Sequence, residues 1–215
     1  ATKTTTGNFN ITYSPKLTST SSRNAAYTGD GTSGVYIWGS QLEAGSYATS
    51  YIPTSGSTVT RNQDIFTRDG IGSLINSTEG VLFVEMAALS NDLSFRTIAL
   101  SAGTSNDSVK LYYTSTSNSI TLQVRRGGSL EVLSTFAVSD ITDFNKIAVK
   151  WKVNDFAMWI GGVEVATDTS GSVPIGMNRL AFDDGNGTSN KFFGKVKQLQ
   201  VYDTALTDTQ LAALT

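Results

Sequence analysis

The stretch from Lys146 to Asp168, KIAVKWKVNDFAMWIGGVEVATD, leaves a chain few ways to fold. Ile147, Val149, Trp151 and Val153 alternate with polar or small residues, as do Phe156, Met158 and Ile160, then Val163 and Val165. Asn154-Asp155 and Gly161-Gly162 interrupt the pattern. A period of two is that of a strand, and Asn, Asp and Gly tolerate the positive φ that two-residue hairpin loops require, so the stretch predicts a three-stranded antiparallel meander. With those pairs as loops, Val153 opposes Phe156, Trp151 opposes Met158, Val149 opposes Ile160, Ile160 opposes Val163, and Met158 opposes Val165. One face is then apolar throughout. Trp159 is the exception, pointing to the other face between Lys150 and Glu164.

The rest of the chain obeys the same period. Gly80 to Leu89, GVLFVEMAAL, is apolar on both faces apart from Glu85, the pattern of a strand covered on both sides. Phe95 to Ser101, Val109 to Thr114, Ile120 to Arg126, Leu130 to Val138, Arg179 to Phe182 and Lys191 to Tyr202 read as further short strands, with Gly127-Gly128 as another hairpin turn. Strands this short and this evenly spaced predict two stacked antiparallel sheets. One helix is expected, at the C-terminus. Thr207 and Gln210 fit a capping box, and Leu206 and Leu211 stand at the staple positions around it. Before Asp64 the chain is polar, with strand candidates at Phe9 to Tyr13 and Val35 to Glu43 and a linker-like stretch from Gly45 to Arg61. Residues 1–62 therefore read as an N-terminal strand and linker region, and residues 63–215 as the sandwich.

Composition removes several classes of chemistry. Cysteine and histidine are both absent, which excludes disulfides, thiolate or imidazole metal sites, and catalysis by a Cys nucleophile or a His base. The net charge is −2 with both signs scattered, so there is no basic stripe to neutralise phosphates and nucleic acid is not an expected partner. The run Thr28 to Gly34 lacks the lysine of a phosphate loop. No apolar run reaches membrane-spanning length, so no membrane insertion is expected. No signal-type segment opens the chain, which starts on Ala1 rather than Met, as a processed product or excised piece does.

Three groups of residues are candidates for chemistry. Paired carboxylates would suit glycan hydrolysis, but the closest same-face pair, Glu164 and Asp168, stands about 13 Å apart at about 3.3 Å per strand residue, beyond the roughly 5 to 9.5 Å that an acid and base need. Glu85 is the carboxylate to follow, with a paired structural role as the plainer expectation. Asp183, Asp184, Asn186 and Asn190 offer hard oxygen ligands in one turn, a candidate calcium site, though Asp, Asn and Gly are also what any turn uses. Trp159, beside Lys150 and Glu164, is the candidate ligand-binding group, able to stack on a sugar while the charges hold hydroxyls. The alternative is that the linker, the terminal helix or a neighbouring subunit covers it.

Two segments carry a resemblance. Val35 to Asp64, VYIWGSQLEAGSYATSYIPTSGSTVTRNQD, closely resembles a stretch of bacteriophage tail and other virion proteins, with Trp38, Gln41, Glu43, Pro53, Arg61 and Asp64 in place. From Glu79 onward, EGVLFVEMAAL, the meander, and FFGKVKQLQVYDTALTDTQLAAL resemble the laminin-G-like, concanavalin A-like jelly rolls. The fold implied is all-β: a concanavalin A-like jelly-roll sandwich with an extended N-terminal attachment and linker region and one short C-terminal helix. The function implied is that of a non-enzymatic phage virion structural protein, a fibre, spike or decoration, presenting a lectin-like surface to a host glycan or receptor. Its partners would be other virion proteins, docked through residues 1–62, and further copies of itself, with a trimer favoured because fibres are usually trimeric. Its place would be the virion. The superfamily's hydrolases carry E-x-D-x-E or E-x-D-x-x-E strings, and this sequence has neither. A glycan hydrolase or lyase of the same fold, or a purely structural module, remains as the alternative. Laminin-G-like domains often hold calcium at the sandwich rim, which points to the Asp183 to Asn190 turn.

Overall fold

The computed structural model describes residues 31–32, 36–43, 47–62 and 64–215, and the chain divides into two units, Ala1–Arg61 and Asn62–Thr215. The strand expected at Phe9 to Tyr13 lies outside the described residues. Residues 36–43, expected as a strand, form none. A strand exists only where a neighbour takes its backbone hydrogen bonds, and here Tyr36, Ile37, Trp38 and Leu42 are exposed. Among the described residues of this unit, side chains make the hydrogen bonds instead. Gln41 Oε1 accepts from the Ile52 amide at 2.7 Å, Glu43 accepts from the Thr49 amide at 3.2 Å, and Arg61 Nε donates to Thr49 Oγ1 at 3.0 Å. Hydrogen bonds from Thr49 and then Gln41 hold the Glu43 carboxyl below its ordinary pKa.

The second unit is a two-sheet sandwich. The six-stranded sheet runs β1 (Thr67–Arg68), β10 (Arg179–Ala181), β3 (Arg96–Ser101), β4 (Ser108–Tyr113), β5 (Ser119–Arg126) and β6 (Ser129–Ala137). The five-stranded sheet runs β11 (Gly194–Tyr202), β2 (Glu79–Ala88), β7 (Asn145–Lys152), β8 (Phe156–Ile160) and β9 (Val163–Asp168). Every neighbouring pair is antiparallel. Alternate residues of the longer strands meet between the sheets, among them Leu82, Val84, Met86, Leu111, Leu122, Trp151 and Phe156, all buried. β2 is apolar on both faces because both are covered. Val81 and Phe83 point outward into a second cluster with Ala148, Ala157, Trp159 and Leu211.

Leu211 belongs to α1 (Asp208–Leu214), the expected C-terminal helix. Thr207 Oγ1 accepts from the Gln210 amide while Gln210 Oε1 accepts from the Thr207 amide at 2.9 Å, closing the capping box. Seven residues are too few for a helix to persist alone in water, so burial of Leu211, with Leu206 beside it, is what holds α1 in place. Among the described residues no helix is long and apolar enough to cross a membrane.

The meander forms, with two corrections to its register. In the first hairpin Val149 opposes Met158 and Ile147 opposes Ile160, two residues from the expected pairing. The loop residues are Val153 and Asn154 rather than Asn154 and Asp155, since the Asp155 amide donates to Lys152 O at 2.9 Å and Asn154 takes φ 58°. Contacts beyond the hairpin decide this. Lys150 Nζ holds the Asp155 carboxylate at 2.6 Å, and Asn154 exchanges hydrogen bonds with Gly171. A shift of two leaves every side chain on its expected face, while Val153 becomes an exposed tip. In the second hairpin Gly161 and Gly162 both take positive φ, as a type I′ turn requires, and Ile160 opposes Val163 as expected. A bulge follows, so Met158 opposes Ala166 rather than Val165. Its consequence reaches the carboxylates: Glu164 lies opposite Trp159 on the outer face, and Asp168 opposite Phe156 of the inner face. They are not the same-face pair that strict alternation predicts.

Candidate functional site

The residues of β4 and β5 that do not enter the core build a surface. Val109, Leu111 and Tyr113 face inward, as do Ile120, Leu122 and Val124, which leaves Lys110 and Tyr112 of β4 and Gln123 and Arg125 of β5 on the outer face of the six-stranded sheet. Lys110 sits opposite Gln123, and Thr97 of β3 opposite Tyr112. Phe95, Ser105 and the loop containing Asp184 and Asn190 raise the walls of a shallow depression of about 390 Å³.

Its electrostatics are uneven. Lys110 is only 3% exposed, and its Nζ is paired with Asp184 Oδ1 at 2.7 Å, so those two charges cancel locally. Arg125 has no carboxylate partner among the described residues. Its Nε donates to Gln123 Oε1 at 3.3 Å and its Nη1 to Gly128 O at 2.8 Å, which holds the guanidinium in place. Burial, and then the negative charge of Asp184, push the Tyr112 hydroxyl pKa up against the smaller opposing pull of Arg125. The phenol therefore stays protonated and can donate. The half-exposed Phe95 ring lies 6.1 Å from the Tyr112 ring, so the depression has an aromatic wall beside its polar floor.

Hydrolysis of a glycosidic bond by the usual route needs two carboxylates flanking it, and the lining holds one, Asp184, already bound to Lys110. Glu85 is ion-paired with Lys197 at 2.8 Å, the structural role expected of it.

The face expected to carry a ligand is closed. Trp159 is 8% exposed because its ring completes the apolar strip with Val81, Phe83, Ala148 and Ala157 that α1 buries. Lys150 is buried too, its Nζ committed to Asp155 at 2.6 Å and lying 3.8 Å from Asp208 in the first turn of α1. Glu164 alone of that trio is exposed. Of the two readings of Trp159, an open stacking site or a covered ring, the covered one holds, with the terminal helix as the cover.

The Asp183 to Asn190 turn spends several of its oxygens on its own chain. Asp183 is 1% exposed, and its Oδ1 accepts from the amides of Gly185 at 2.7 Å and Gly187 at 3.1 Å. Asn186 Oδ1 accepts from the Thr188 amide and hydroxyl, and the Asn190 carbonyl accepts from the Thr97 amide. With the Lys110 ammonium on Asp184, the donor set does not fit calcium, and among the described residues no three acidic side chains converge. A ligand that binds only the folded form raises its melting temperature with concentration, so the expected result is the same melting temperature in calcium and in chelator. A rise that tracks calcium concentration would restore the ion.

Asp184 and Asn190, singled out for a metal, therefore do reach a site, as walls of a different one. Lys110, Tyr112, Gln123 and Arg125 were legible only as the outward positions of two alternating strands. Their convergence depends on which strands are neighbours and on how the 183–190 loop folds back.

A family model described as the concanavalin A-like lectin/glucanases superfamily, Laminin_G_3, matches residues 83–212. Among curated proteins none matches the chain in sequence. Among solved structures, the CBM40 of a Ruminococcus gnavus IT-sialidase, bound to α2,3-sialyllactose, superposes with a TM-score of 0.55 at 17% identity over 65% of this chain and 84% of that one. The binding domain of botulinum neurotoxin serotype G does so at 0.54 and 13% identity, over 69% of this chain and 39% of that one. The NanB sialidase of Streptococcus pneumoniae gives 0.54 at 14% identity, over 70% of this chain and 26% of its own length. At these identities the likeness is one of fold.

Proposed function

This chain belongs to the concanavalin A-like lectin/glucanase superfamily, and from that premise we propose that it is a non-catalytic glycan-binding module whose ligand lies in the depression on the outer face of the six-stranded sheet. The observation that carries the reading is the lining itself: the Tyr112 and Phe95 rings for a sugar face, with Gln123, Arg125 and Thr97 beside them for its hydroxyls. That pairing of apolar planes with a few convergent polar groups is what small-ligand sites share. The sialyllactose-bound CBM40 supports it by fold, and the single, already paired carboxylate argues against hydrolysis or lyase chemistry. On a glycan array the protein should bind, and Tyr112→Ala should weaken that binding about tenfold, or 1.4 kcal/mol. Trp159→Ala should leave the affinity of the folded protein unchanged. An array without signal, or a Tyr112→Ala variant that binds like wild type, would defeat the reading.

A second, compatible reading concerns setting. The resemblance of residues 35–64 to phage virion segments supports a place on a virion, with residues 1–62 docking to other particle proteins and the module displayed in several copies, a trimer by analogy with fibres. The exposed Tyr36, Ile37, Trp38 and Leu42 support a docking role for that segment.

A further inference from the structure

We infer that the ligand of this depression is an acidic glycan, a sugar bearing a single carboxylate, and that Arg125 is the residue that selects it. The inference rests on the glycan-binding reading and narrows it to a chemical class.

The argument is one of charge and donor geometry. Two cations and one anion line the depression, and the Lys110 ammonium is spent on Asp184 at 2.7 Å. The remaining charge is one positive unit, on Arg125. A guanidinium has five N–H donors in a fixed plane. One goes to Gln123 Oε1 and one to Gly128 O, so three are left, two of them on Nη2. Those two bonds also anchor the side chain, so little rotamer freedom remains to be lost on binding. A planar fork held in place in the same depression as the aromatic rings matches a carboxylate in bidentate fashion, which a neutral sugar hydroxyl cannot reproduce. Partial burial strengthens the preference. Arg125 is half-buried, and a guanidinium there gains more from a counter-charge than one in bulk water does. Tyr112 adds a neutral donor, since its hydroxyl stays protonated. Lys110 is an unsuitable rival for the carboxylate, because drawing it away would leave Asp184 unpaired beside the ligand.

The test is calorimetric titration of the whole chain with 3′-sialyllactose and with galacturonic acid, against lactose and galactose as their neutral controls, alongside an array carrying acidic glycans and their neutral counterparts. At least one acidic sugar should bind tenfold or more tightly than its neutral counterpart. Arg125→Gln should remove that difference by weakening the acidic sugar's binding far more than its neutral counterpart's, and Arg125→Lys, which keeps the charge but not the fork, should restore only part of it. The melting temperature of each variant shows whether it is folded. Equal or tighter binding of the neutral member of every pair overturns the assignment of an acidic ligand and leaves the glycan reading standing. Retention of the acidic preference in Arg125→Gln overturns the role of Arg125. Binding to no glycan overturns both.

Discussion

Trp159→Ala is expected to lower the free energy of unfolding by about 3 to 5 kcal/mol, the range for truncating a packed aromatic, when measured by denaturant unfolding. Trp159 is the largest side chain of the outer cluster on the five-stranded sheet, where Val81, Phe83 and Leu211 also pack. Its loss would leave a cavity between sheet and helix. A helix of seven residues has no stability of its own with which to bridge that gap, so protease cleavage near residues 203–207 should accelerate in the variant. The indole Nε1 is buried with no hydrogen-bond partner among the described residues. A buried unpaired donor costs about 1 to 3 kcal/mol, which Phe would relieve while keeping most of the ring, so Trp159→Phe should stay within about 1 kcal/mol of wild type. If Trp159→Ala unfolds at the wild-type denaturant midpoint, α1 is not packed on that ring.

Gly80→Ala is expected to destabilise by about 3 kcal/mol, the upper end of the cost of overpacking. A Cβ at this position would stand 2.5 Å from Cζ2 of Trp151 and 2.6 Å from the Tyr202 carbonyl oxygen. Neither neighbour can retreat. Trp151 is fully buried with its Nε1 donating to Asn76 O at 3.1 Å, and Tyr202 is held in β11 opposite Val81. The strain would fall on the junction of β11, β2 and β7, on the β11 side of the five-stranded sheet. Gly72→Ala is the control: its Cβ would meet nothing closer than Asn178 Cβ at 3.4 Å, and its effect should be within about 1 kcal/mol. Equal melting of the Gly80 and Gly72 variants would mean that the close approach of Trp151 to β2 is not as described.

Several elements were legible in the chain because their causes are local. Alternation over two residues is a property of each strand, and it located the strands of both sheets, except the two-residue β1, and the two-faced burial of β2. The capping box and staple around Thr207 involve residues within five positions of one another, and α1 begins where they place it. Gly161-Gly162 set its own hairpin because both glycines supply the positive φ that the turn needs. Asn154-Asp155 did not, because there the turn answers to Gly171 and Lys150, which lie outside it.

What tertiary structure alone decided is what each outward face meets. Trp159 has the same pattern in the sequence whether a sugar, a subunit or a helix lies above it, and only the return of the C-terminus across the sheet makes it core. Asp184 reads as a metal ligand until Lys110, 74 residues away, arrives to neutralise it. The residues proposed to hold the glycan are a still plainer case. Lys110, Tyr112, Gln123 and Arg125 are ordinary outward positions of two strands, and no local signal distinguishes them from the polar face of any exposed sheet. They become a site because β4 and β5 pair with Lys110 opposite Gln123, and because the loop after β10 closes one side with Asp184. Periodicity depends on the backbone of a single segment and can be read from that segment. A binding site depends on the distances between segments, which long-range pairing determines and a one-dimensional pattern does not contain.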